Sequence, residues 1–70
     1  MDMNHEMLRT AQKLVTQLQA AGLSPQDISA RLDNRVSSRT VYRWAKGEHA
    51  PQNRSDLVAL ERLAALVAAT

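Results

Sequence analysis

The chain of 70 residues has no cysteine and no phenylalanine, and only two glycines, two prolines, one tryptophan and one tyrosine. Without cysteine there are neither disulfides nor thiolate metal sites. The two histidines, His5 and His49, stand far apart with no ligand partner at helical spacing, so no zinc site is expected. Scarce glycine and proline, with abundant leucine, alanine and valine, favour helices over a sheet. The longest apolar run, residues 63–69, is far below the roughly 20 residues of a membrane span. Asp2 and Glu6 stand where a secretory leader would carry basic residues, so a cytoplasmic protein is expected.

A chain this short makes one domain, whose burial only just exceeds the cost of ordering it. Its stability must come from an aliphatic core or from self-association. The net charge of +2 conceals an uneven distribution. Residues 31–54 carry Arg31, Arg35, Arg39, Arg43, Lys46 and Arg54 against Asp33 and Glu48, a local balance of +4. The remainder sums to −2. One basic pole fits a surface for a polyanion, with an ordinary solvated charged face as the alternative.

Hydrophobic spacing predicts four helices, at most five, in a compact all-α bundle. Over residues 3–21, steps of ~100° place Met3, Met7, Leu8, Ala11, Leu14, Val15, Leu18 and Ala21 on one side. Arg9, Gln12, Lys13, Thr16, Gln17 and Gln19 fall opposite, and Gly22 is the expected stop. Ser24 then suits an N-cap, Pro25 a first helical position, and Asp27 the positive helix end. Ile28 and Leu32 anchor this short second helix, and Asn34 suits a left-handed residue in the turn that follows.

The stretch "SSRTVYRWAKGE" holds both aromatic residues and three of the nine basic ones. Ser37 or Ser38 is the expected cap, and Gly47 the stop. With Ser38 at zero, Tyr42, Lys46, Arg39 and Arg43 fill an arc from about 40° to 140°. Thr40, Trp44, Val41 and Ala45 fill an arc from about 200° to 340°. The segment therefore buries Val41 and Trp44 and presents its cations and tyrosine. A last helix over about residues 53–68 has Leu57, Leu60, Leu63, Ala64 and Val67 as its core stripe and Asp56 at a capping-box position.

Helix, turn and helix between two scaffold helices is the layout of a helix-turn-helix domain, with a core over about residues 24–47. The stretches "SPQDISARL" and "VSSRTVYRWAKGEHAP" resemble the phage-repressor type, the Cro and lambda-repressor-like group, over about residues 23–63. The roles typical of that family fall here to Val36, Ser37, Val41, Trp44, Lys46, Gly47 and Pro51. Two features depart from it. Ser29 stands where the family usually has alanine, and Asp33-Asn34-Arg35 makes the turn about two residues longer. The resemblance implies a lambda-repressor-like bundle that binds double-stranded operator DNA and regulates transcription.

A major groove ~12 Å wide admits one helix, whose first half meets the base edges. Ser38, Arg39, Tyr42 and Arg43 are the candidates for base contact. An arginine there can bond O6 and N7 of guanine together. Ser24, Gln26, Arg35, Ser37, Lys46 and Arg54 are the candidates for phosphate contact, the first two at the positive end of the second helix. Tyr42 has the alternative of lying over the domain surface, and Arg31 that of pairing with Asp27 one turn earlier.

One unit covers one half-site, so a homodimer is expected. Val58, Ala65, Leu66 and Ala69, apolar yet off the core stripe, are its candidate contact. The rival to DNA is an acidic protein, met by an antitoxin-like or adaptor-like helical module. An enzyme is not expected, because paired carboxylates, an activated nucleophile and a phosphate-cradling glycine loop are all missing. Nor is a cofactor, a metal or a small-molecule ligand expected.

Overall fold

Because Ala11, Val15 and Leu18 recur at helical spacing, the first helix can bury one stripe and leave the rest in water. The computed structural model describes the backbone of residues 3–69 and the side chains of residues 5–69. Four helices appear in order: α1 Met3–Ala20, α2 Pro25–Arg31, α3 Ser38–Lys46 and α4 Arg54–Ala69. No strand and no fifth helix occur among the described residues. α1 packs against both α3 and α4, while α2 packs on α3. No helix is long and apolar enough to cross a membrane among the described residues.

The core unites Ala11, Val15 and Leu18 of α1 with Ile28 and Leu32, Val41 and Trp44 of α3, and Leu60 and Leu63 of α4. Leu14 is half-buried against it, and Met7 and Leu8 are half-buried on the same helix. Two assignments on α1 differ from the helical wheel. Ala21 is exposed, because α1 stops one residue earlier and turns at Gly22 with φ of 101°. The Leu23 amide bonds back to the Leu18 carbonyl at 3.1 Å, and Leu23 packs on the core in Ala21's stead. Gln12, expected in solvent, is half-buried and donates from Nε2 to the Ala45 carbonyl at 3.4 Å. It thereby serves the end of α3. The side chain of Met3 lies outside the described residues.

Gly47 ends α3 in the left-handed region, φ 74°, and a Cβ there would stand 3.1 Å from Gln12 Nε2. The position needs glycine for its backbone, while the Gln12 amide, at the end of a flexible side chain, would only have to give slightly. Ser37, rather than Ser38, caps the start of α3, its Oγ accepting from the Thr40 amide at 3.2 Å. At α4 the Asn53 side chain accepts from the Asp56 amide at 3.1 Å and from the Ser55 hydroxyl. These contacts satisfy helix-end amides that have no intrahelical partner.

The two departures from the phage-repressor pattern meet in space. Both Asp33 and Asn34 adopt left-handed φ, 58° and 57°, where the sequence pointed to Asn34 alone. Their short polar side chains tolerate that region better than most. The Asn34 amide bonds to the Ser29 carbonyl at 3.0 Å, and the buried Ser29 hydroxyl donates to the Val36 carbonyl at 2.6 Å. Ser29 thus fastens the far end of the longer turn to α2. Ser29→Ala is expected to lower stability by about 1–2 kcal/mol, because the Val36 carbonyl loses its donor. A chemical denaturation midpoint equal to wild type would show that the bond does nothing for the fold.

Candidate nucleic-acid interface

α3 is a two-sided helix. Val41 and Trp44 are buried, Trp44 with 1% of its surface exposed, and they fix the helix against α1 and α2. On the other side Arg39, Tyr42, Arg43 and Lys46 are exposed and Ser38 is half-buried at the edge. Tyr42 keeps 49% of its surface in solvent. The Lys46 ammonium sits 5.0 Å from the centre of the Tyr42 ring, one turn away. This cation–π contact is worth about 0.5–1 kcal/mol at an exposed site.

Two shallow channels flank this ridge. The first is lined by Ser24, Pro25 and Gln26 from the start of α2 and by Ser38, Arg39 and Tyr42 from α3. Four candidate base-contact or cap residues thus come together with Gln26. The Ser24 hydroxyl is already engaged, accepting from the Asp27 amide at 3.2 Å and lying 3.0 Å from Asp27 Oδ2. The Ser24 amide donates to the same carboxylate oxygen at 3.0 Å, which closes a capping box. Gln26 is the freer polar arm at this edge.

The Ser24 backbone amide, and then its hydroxyl, hold the Asp27 carboxyl below the usual carboxylate range, with Arg31 adding a smaller attraction. The charged carboxylate therefore binds the folded chain better than the unfolded one. That stabilisation is present above the unfolded value near ~3.9 and is lost as the pH falls through the lower folded value. Asp27→Asn should flatten the acid limb of a stability–pH profile measured by urea denaturation. An unchanged limb would remove Asp27 from the acid response. Arg31, expected to pair with Asp27, contributes the smallest of the effects on its carboxyl.

The second channel runs along the opposite edge of α3. Arg35, Ser37 and Arg43 line it together with Thr40, His49, Asn53 and Asp56. The sequence marked the first three and missed His49. Its presence here depends on how the loop after Gly47 folds back beside α3, which spacing along the chain does not encode. Arg54 is elsewhere. It lines a groove between α1 and α4 with Glu6 and Glu61, whose carboxylates oppose the field an incoming phosphate would need.

On α4, Val58, Ala65, Leu66 and Ala69 are all exposed. Steps of ~100° put them on one face with Ser55 and Arg62, opposite Leu60 and bordering Leu63. Leu66, 67% exposed, and Val58 line a groove with Leu32, Asp33, Arg62 and Leu63 beside the end of α2. The candidate dimer residues are therefore contiguous and unburied, with one arginine among them. No protein-family model, curated protein or solved structure matches the chain.

Proposed function

We propose that the protein is a sequence-specific double-stranded DNA-binding regulator of transcription, of the helix-turn-helix type that the lambda-repressor-like resemblance implies. In this reading α2, its turn and α3 form the helix-turn-helix, and α3 enters the major groove. The observation that carries it is the exposed ridge of Arg39, Tyr42, Arg43 and Lys46, with a polar channel on one side and a mostly apolar one, edged by Ser24 and Gln26, on the other. A helix lying in a groove needs base-reading side chains along its crest and hydrogen-bonding groups on each side for the two backbones. Arg39 and Arg43, one turn apart, suit guanine, and Ser38 and Tyr42 suit bases or thymine methyl groups. Gln26 and Arg35 stand on opposite sides as phosphate contacts, with the Ser37 and Ser24 caps beside them. Occupancy of an operator would act most simply as repression or autoregulation.

Two copies would meet through the Val58, Ala65, Leu66 and Ala69 face and read two half-sites. Selection of duplexes from a random pool tests both parts. The expected product is a two-fold symmetric site whose halves are centred about 10–10.5 base pairs apart, or a multiple of that spacing. A pool without enrichment would contradict sequence-specific reading. A single unrepeated half-site would contradict the dimer.

Lys46 lies late in α3, where the helix leaves the base edges for the backbone. Lys46→Ala should weaken binding to every duplex evenly and reduce the salt slope by about one unit. A loss confined to one base position would place Lys46 among the base readers instead.

A further inference from the structure

His49 has no part in the base-reading ridge, yet it lines the second channel with Arg35 from the long turn and Arg43 from α3. All three side chains are exposed. The apolar part of its lining is Val36, Ala50 and the buried Trp44. Asp56 of α4 is the one carboxylate that lines it among the described residues, and Glu48 precedes His49 in the chain. Two guanidiniums beside one carboxylate give the channel a net positive charge even while the imidazole is neutral.

We propose that this channel seats one phosphate of the DNA backbone, with His49 as a third, proton-dependent cation beside Arg35 and Arg43. DNA affinity then rises as the pH falls through the histidine range. The inference rests on the DNA-binding reading and adds a pH response to it.

The charged groups around the imidazole are Arg35, Arg43 and Asp56 in the channel and Glu48 beside it in the chain. A phosphate in the channel adds a negative charge within the same cluster and offsets the two guanidiniums. The complex therefore holds a proton that the free protein releases. By linkage the gain in affinity is fully present where the imidazole is charged in both states. It is lost as the pH rises through the titration of the complex. Between pH 5.5 and 8 arginines and carboxylates keep their charges, so a histidine is the side chain able to supply this response.

The test is fluorescence anisotropy of a labelled duplex, titrated over a salt series at pH 5.5 and at pH 8. Wild type, His49→Gln and His5→Gln are compared. His49 is exposed and outside the core, so its substitution spares the fold. Wild type and His5→Gln should bind roughly two- to fivefold more tightly at pH 5.5 than at pH 8 at each salt concentration, the scale of one exposed ion pair. His49→Gln should not show this gain. An equal pH response in His49→Gln, or none in wild type that still binds, would overturn the role of His49 and leave DNA binding standing. Absence of binding by wild type at either pH would overturn both.

Discussion

Trp44→Ala is expected to lower the free energy of unfolding by about 3–5 kcal/mol. The indole is 1% exposed and sits in the cluster shared by all four helices. No other aromatic ring is buried with it, since Tyr42 points to solvent and phenylalanine is absent. The aliphatic neighbours Val15, Ile28, Val41 and Leu60 are already fully buried and have little slack to refill the space. A domain of this size holds only about 5–15 kcal/mol in all. The substitution should therefore remove a large share of the stability and lower the melting temperature by about 15 °C or more. Circular dichroism through a urea titration reads this without the lost fluorophore. A variant that melts with wild type while losing its DNA would move Trp44 from the core to the interface.

Arg39→Ala should do the reverse, leaving the fold intact while changing what is bound. Arg39 is exposed and lies within the arc that contains Tyr42, Lys46 and Arg43. A bidentate arginine–guanine pair is worth about 1–3 kcal/mol of discrimination. Its loss should relax specificity at one base position by roughly five- to 150-fold, with the other positions unaltered. Competition with operator duplexes substituted one base pair at a time measures this. An Arg39→Ala protein with wild-type preference at every position would disqualify α3 as the recognition helix. Arg43 stands at the border of the ridge and the second channel. Its replacement should combine a specificity change with a general weakening.

The features that the sequence made legible are those determined within one or two turns of helix. Ser24 with Pro25, Ser37 before α3 and Gly47 after it mark their helix ends by chemistry that needs no distant partner. The division of α3 into a buried Val41–Trp44 side and a charged side follows from helical spacing alone. What stayed hidden depends on the path of the chain in space. Gln12 has no local reason to leave solvent; the end of α3 and its Ala45 carbonyl supply one. Ser29 and the long turn read as two separate irregularities until the Val36 carbonyl joins them. Arg54 counted with the basic pole by sequence, yet its groove holds Glu6 and Glu61. His49 had no apparent partner in the sequence because it joins Arg35 and Arg43 in one channel only through the fold of the loop.

The presence of a cationic ridge is common to DNA binding and to capture of an acidic protein. The two differ in their response to salt, since each phosphate neutralised on a duplex releases condensed counterions. The decisive measurement is anisotropy of a labelled random-sequence duplex between 50 and 200 mM salt. Wild type is compared with Arg39→Ala/Arg43→Ala. Wild-type affinity should fall by more than about tenfold across that range, and the double variant should bind more weakly with a slope flatter by about one to two units. A folded wild-type protein that fails to bind the duplex even at 50 mM, or a double variant that binds as wild type does, would contradict a DNA-contacting α3.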